Sequence, residues 1–152
     1  MINEMTAQSQ LQQLYDRDYY LWLEVMAKLL KSRQLEQLDL DNLIEEIETL
    51  GRSEKNRVIS SLKLICQHLL KWQYQSQKRS KSWLDTIRRE RNNIADLIED
   101  MPSLKRFLET PEALAKAYRR GRRDAIQETE IENFPQDCPF SLEEILDPDY
   151  LP

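Results

Sequence analysis

Apolar residues recur along this chain at intervals of three and four, the spacing that puts them on one face of an α-helix. The clearest stretch is residues 58–72, VISSLKLICQHLLKW. Val58, Leu62, Ile65, Leu69 and Trp72 form one stripe, and Ile59, Cys66 and Leu70 widen it. Leu64 adds apolar surface on the other flank. So broad an apolar circumference suits a helix covered by several neighbours. Residues 58–75 are therefore predicted to form the central helix of an all-α domain.

The flanking segments carry narrower stripes. Residues 11–32 present Leu11, Leu14, Tyr15, Trp22, Val25, Met26 and Leu29 on one helix, with Asp18 inside the stripe, roughly 40° from Trp22. Residues 1–10 are polar and are expected to fray. A second helix carries Leu40, Leu43, Ile44, Ile47 and Leu50, with Asp39 or Asp41 as N-cap and Gly51 as the residue that ends it. Ser53 is the next N-cap candidate. After the basic linker SQKRSKS, Ser82 and Asp85 resemble a capping box for a helix that buries Trp83, Leu84, Ile87, Ile94, Ile98 and Met101. Arg91 lies within that stripe.

Pro102 stops this helix, and residues 103–110 form a short helical turn. Thr110 and Pro111 then supply an N-cap and a first-turn proline for a long helix with Leu114, Ala117, Tyr118, Gly121 and Ala125. Gly121 costs about 1 kcal/mol in a helix interior, and the small residues around it permit close approach of another backbone. Ser141 and Glu144 form a second capping box before a short helix with Leu142, Ile145 and Leu146. The predicted fold is an all-α, single-domain helical bundle over residues 11–152, with about five main helices and a short C-terminal helix packed by Phe134, Phe140 and Leu146.

Composition agrees with helices. Only 2 of the 152 residues are glycine, while Leu, Glu, Gln, Lys and Arg abound. No apolar run reaches membrane-spanning length. The N-terminus lacks a basic segment followed by an apolar one, so a cytoplasmic location without membrane attachment is expected. Cys66 reads as a small buried hydrophobe and Cys138 as part of a Pro-rich turn. They lack CxxC spacing, and a disulfide between them is the less favoured reading because cytosolic thiols stay reduced.

The net charge of −5 argues against a nucleic-acid footprint over the whole surface. Charge is uneven, however. Residues 36–54 are acidic and residues 71–91 basic, which suggests that the two segments face each other.

Three kinds of chemistry can be weighed. Asp18 and Arg91 on apolar faces need partners, and the simplest solution is an ion pair between them with His68 nearby. Together with Glu46, Glu48 and Lys71 they make the candidate polar constellation. A metal site built from Glu46, Glu48, His68 and Asp18 is a weaker reading, because the chain has a single histidine and no Glu-x-x-His motif. Hydrolase triads and phosphate-binding loops lack their motifs. Lys78, Arg79, Lys81, Arg88, Arg119, Arg122 and Arg123 form a candidate nucleic-acid surface, interleaved with Trp72, Tyr74 and Trp83.

The stretches YDRDYYLW, LDLDNLIEEIETLGRSE, HLLKWQYQ, RSKSWLDTIRRER and CPFSLEEILDPDYLP occur in this order along the chain. As a set they resemble a bacterial, largely cyanobacterial family catalogued as domain of unknown function twenty-nine. The resemblance covers nearly the whole chain after about residue 10. Its motif positions match here as Asp18, Trp22, Glu45, Glu46, Glu48, Gly51, Ser53, His68, Leu70, Lys71, Trp72, Ser82, Trp83, Ile87 and Arg91. It implies an all-helical bundle and assigns no activity, cofactor or catalytic residue.

The first functional reading is a non-enzymatic helical interaction module that needs no cofactor. Its partner is another protein or a second copy, joined through the small face of Ala117, Gly121 and Ala125. Nucleic-acid association and a small polar or metal site are the alternatives.

Overall fold

The computed structural model describes the backbone of residues 2–152 and the side chains from residue 7 onward. Its regular structure is helical: α1 (Ile2–Arg17), α2 (Tyr19–Lys31), α3 (Leu40–Tyr74), α4 (Lys81–Asp100), α5 (Leu104–Leu108), α6 (Pro111–Thr129) and α7 (Leu142–Leu146). No strand occurs among the described residues. Within this all-α chain, contacts separate two compact units, Met1–Arg52 and Ser53–Pro152. The expected domain of residues 11–152 is thereby subdivided.

In the first unit, α1 already begins at Ile2, so residues 2–10 are helical where fraying is predicted. The predicted helix over 11–32 is two helices. Asp18 leaves helical geometry, with φ −146° and ψ 80°, and its carboxylate accepts the Leu21 N–H at 3.1 Å. The acid inside the stripe is thus the N-cap of α2, and it is exposed. Trp22, Met26 and Leu38 form a small core with Leu11, Leu14, Val25, Leu29 and Leu43 packed against it. The buried Trp22 indole donates to Asp39 Oδ2 at 3.0 Å, so the wall of that core has a polar partner for its one N–H.

Helix α3 is 35 residues long and passes through both Gly51 and Ser53, which are predicted to end one helix and start another. Gly51 does not adopt a positive φ. A helix this long absorbs the intrinsic cost of one glycine because each further residue adds a hydrogen bond. Arg52 also reaches back along α3 to Glu45 at 2.8 Å, bridging the glycine.

In the second unit, the stripe Val58, Leu62, Ile65, Leu69 of α3 is fully buried, as its breadth predicts. It packs with Ile87 and Ile94 of α4, Leu104 and Leu108 of α5, Ala113, Ala117 and Ala125 of α6, and Ile145 of α7. The tightest point is Gly121, where an added Cβ would lie 2.6 Å from the Lys63 carbonyl oxygen and 3.3 Å from Cys66 Cβ. The small face of Ala117, Gly121 and Ala125 is therefore covered by α3 inside the unit. That corrects the expectation that it joins two copies of the chain.

Helix ends follow local chemistry. Ser80, not Ser82, caps α4 by accepting the Trp83 N–H at 3.3 Å. Asp85, the other half of the expected box, takes Lys81 instead, at 2.8 Å. Pro111 opens α6 after Thr110, as predicted, although the Thr110 hydroxyl donates to the Phe107 carbonyl at 2.6 Å and makes no capping bond; Ser141 with Glu144 forms both bonds of the predicted capping box at α7.

The two glycines should respond oppositely to alanine. Gly121→Ala should destabilise the protein by about 1–3 kcal/mol, because overpacking against a backbone carbonyl outweighs the gain in helix propensity. Gly51→Ala meets nothing within 4 Å and should stabilise by about 0.5–1 kcal/mol. Urea unfolding of both variants checks the pair.

Candidate functional site

The residues of the predicted polar constellation fall in different units, and each has partners of its own. In the first unit, Asp18 serves as a cap and the exposed Glu48 lies 3.8 Å from Arg52. Glu46 accepts two phenolic hydrogen bonds, from Tyr15 and Tyr19, each 2.5 Å long. These bonds hold the Glu46 carboxyl below its ordinary value of 4.5. The Tyr15 phenol, donating to that carboxylate, is pushed up to about 12. Tyr15 and Tyr19 also pack on Trp22, with ring centroids 4.9 and 6.0 Å away. Phenols held protonated and carboxylates held ionised make a stable brace rather than an acid–base pair for neutral pH.

In the second unit, Lys71 is buried against α6. Its ammonium is 2.6 Å from Glu128 Oε2 and 4.5 Å from the centroid of the Trp83 ring. Gln67, one turn earlier on α3, donates to the other Glu128 oxygen at 2.7 Å. His68 Nδ1 sits 2.8 Å from the Leu64 carbonyl, to which it donates. Burial lowers the His68 pKa from 6.5, so the imidazole is neutral at pH 7.

Arg91, expected to pair with Asp18, finds its partners within its own unit. Its guanidinium donates instead to backbone carbonyls of the C-terminal segment: Nε to Ile145 at 2.7 Å, Nη1 to Pro148 at 3.4 Å, and Nη2 to Tyr150 at 3.0 Å and Glu144 at 3.3 Å. A guanidinium offers five donors in one plane, so a single side chain ties down a whole turn of chain. Burial lowers its pKa while Asp147 and Asp149 oppose that effect.

The structure adds a site that periodicity alone does not reveal. Glu90, next to Arg91, is buried between α3 and α4 and accepts from Ser61 at 2.9 Å, Arg89 at 3.0 Å and Asn93 at 3.1 Å. Burial raises its pKa, but the three donors outweigh burial and leave it below 4.5. Beside it opens a polar cleft of about 530 Å³ lined by Ser60, Ser61, Asn93, Asp96 and Asp100 among others. Among the described residues no buried side-chain nitrogen or oxygen lacks a partner. Nor do three His, Cys, Asp or Glu side chains gather closely enough to hold a metal ion.

Several residues of the predicted nucleic-acid surface have partners within the chain, most of them at the surface. Arg79 donates to the Trp72 carbonyl at 2.9 Å and stacks over its ring, Lys81 pairs with Asp85, and Arg123 pairs with Asp124 at 3.1 Å. Arg122 donates to the carbonyls of Phe134, Pro135 and Glu132. Arg122 is half-buried, whereas Lys78, Arg79, Lys81, Arg88, Arg119 and Arg123 are all exposed. The acidic segment 36–54 likewise finds its partners locally, in Arg52, Arg57, Tyr15 and Tyr19.

What remains open is apolar. On the first part of α3, Leu40, Ile44, Ile47 and Leu50 are 57%, 53%, 66% and 67% exposed. At 100° per residue they share one face. Leu43, which falls between Ile47 and Leu50 on that face, is the one that packs on the Trp22 core. Asp41, Glu45 and Glu48 run along one side of the stripe, with Arg52 among them.

An all-helical chain with braced inward polar groups and an uncovered apolar stripe is the architecture to be placed. The model of the family described as domain of unknown function DUF29 matches residues 14–151, and the chain belongs to that family. Comparison with curated proteins and with solved structures found no match for either. No helix among the described residues is long and apolar enough to cross a membrane.

Two substitutions test the reading that these polar groups are structural. Arg91→Met should cost about 2–4 kcal/mol, because it leaves several carbonyls of the C-terminal segment without donors. Glu90 has a lowered pKa in the folded state, so its contribution is present above 4.5 and is lost as pH falls through the folded value. Glu90→Gln should therefore be less stable than wild type near pH 7, with the gap closing as the pH falls below 4.5. Urea midpoints measured against pH give both results.

Proposed function

We propose that this protein is a non-enzymatic interaction module. Its first unit offers the face of Leu40, Ile44, Ile47 and Leu50 to a protein partner. The observation that carries this reading is the exposure of those four side chains. Isolated exposed leucines are ordinary, but a contiguous apolar stripe on a rigid helix is the usual form of a docking surface. Tyr74 and Leu151 apart, every exposed large hydrophobic side chain among the described residues lies in the first unit. A cytoplasmic setting belongs to the same reading.

The border of the stripe describes the partner. Asp41, Glu45 and Glu48 outnumber Arg52 beside it, so the fitting partner is an amphipathic helix with an apolar face and basic flanks. The nucleic-acid alternative is the second reading: Lys78, Arg79, Lys81, Arg88, Arg119 and Arg123 are exposed, while Arg122 is engaged with tail carbonyls and the net charge of −5 weighs against a phosphate partner.

The test uses two designed helices, one with leucines along one face and lysines on the other, and one with glutamates in place of the lysines. The full-length protein should bind the lysine helix, more weakly as salt is added. Ile47→Glu should weaken that binding about tenfold or more. This substitution adds negative charge, so purely electrostatic capture of the lysine helix would strengthen instead. Equal binding of the two helices, or binding indifferent to Ile47→Glu, would refute the proposal.

A further inference from the structure

The chain itself carries a helix of the kind that the α3 stripe fits. On α2, Trp22, Val25, Met26 and Leu29 pack in the core of the first unit, while Tyr20, Leu23, Ala27 and Leu30 stay exposed. At 100° per residue these four share one face. Lys31 and Lys28 border it on one edge, with Glu24 between them. From Tyr20 to Leu30 is about 15 Å of helix, and from Leu40 to Leu50 is the same.

Both faces open on one side of the first unit. Tyr19 reaches Glu46 and Trp22 reaches Asp39, so numbers fall along α3 as they rise along α2. The two helices therefore run antiparallel. The α3 stripe lies roughly a quarter turn, in the winding sense of the helix, from Asp39 and Glu46, which face α2. The α2 face lies roughly a quarter turn, in the same sense, from Tyr19 and Trp22, which face α3. Equal turns on antiparallel helices bring both faces to the same side.

The charged edges complete the pattern. Asp41, Glu45 and Glu48 line the edge of the α3 stripe that points away from α2. Lys28 and Lys31 line the edge of the α2 face that points away from α3. Glu24 offsets one lysine and Arg52 offsets one acid, so the two edges keep opposite net charge. Two copies can meet face to face in two ways. A two-fold axis across the helices sets α3 on α3 and acid on acid. An axis along the helices sets α2 of each copy on α3 of the other, and the lysine edge then meets the acidic edge twice.

We propose that the partner of the α3 stripe is a second copy of this chain, joined in a two-fold dimer by reciprocal packing of α2 on α3. The proposal rests on the reading of the stripe as a docking face and names its occupant. Tyr20, Leu23, Ala27 and Leu30 of one protomer cover Leu40, Ile44, Ile47 and Leu50 of the other. Two short stripes per protomer make a small interface, so pairing is weak and the protomer folds alone at about 1 µM.

The experiment is sedimentation of the full-length protein from about 1 µM to about 1 mM. The mass should rise from that of a monomer towards twice that value. Leu23→Glu and Ile47→Glu should each weaken pairing about tenfold or more. Lys28→Glu/Lys31→Glu should weaken it severalfold, as should Glu45→Lys/Glu48→Lys, and a chain carrying all four should recover it. These last substitutions are at the surface and leave the core alone. A dimer indifferent to Leu23→Glu and to the lysine substitutions would overturn α2 as the occupant.

The designed lysine helix separates this proposal from the docking reading beneath it. Leu23→Glu leaves the α3 stripe intact and should still bind that helix, whereas Ile47→Glu should lose it. Wild type that stays monomeric to 1 mM yet binds the lysine helix would overturn the second copy and leave the docking face standing. A monomer that binds no lysine helix would overturn both.

Discussion

The second unit is organised by how closely α6 can lie on α3. The backbone of Gly121 sits where any side chain would strike the Lys63 carbonyl. That approach brings successive turns into register. Lys63 meets Asp124 at 3.0 Å, and Gln67 and Lys71 both meet Glu128. On α3 these donors recur every fourth residue, and on α6 the acceptors do the same, so one close contact aligns a ladder of polar ones. From the outer side of α6, Tyr118 and Arg122 then hold the tail.

The same economy runs through the other polar groups. Arg91 fastens the C-terminal segment by its carbonyls, Glu90 is satisfied by three donors, and Glu46 is braced by two tyrosines. Buried or half-buried polar groups with complete partners hold a structure in one arrangement and leave little for a substrate to bind. In the first unit, the apolar stripe on α3 is the feature without an internal role, and the proposed function rests there.

Much of this was readable in advance, and the misreadings have definite causes. The stripe of Val58, Leu62, Ile65 and Leu69 identifies the central helix because breadth of apolar surface reports burial on several sides. The cap at Ser141 was legible because capping is local chemistry, and the start of α6 because Pro111 fits only a first turn. Asp18 was misread because the stripes of α1 and α2 run nearly in phase, so an interruption between them looks like an acid within one helix. Gly51 has the composition of a helix end, yet nothing local forces a left-handed turn there. Periodicity placed Arg91 inward correctly but could not name its partners, since backbone carbonyls leave no mark in a sequence. Nor could it distinguish Leu62, covered on all sides, from Ile47, covered by nothing, because both belong to equally regular stripes.

The central claim is that the stripe of Leu40, Ile44, Ile47 and Leu50 takes no part in the protein's own core. Its most direct test is the unfolding free energy of the double variant Ile44→Gln/Ile47→Gln in the full-length chain. Glutamine is a good helix former, and an exposed position tolerates it, so the account predicts stability within about 0.5 kcal/mol of wild type. A loss of more than about 2 kcal/mol would mean that the stripe is buried by the chain itself, and would contradict it.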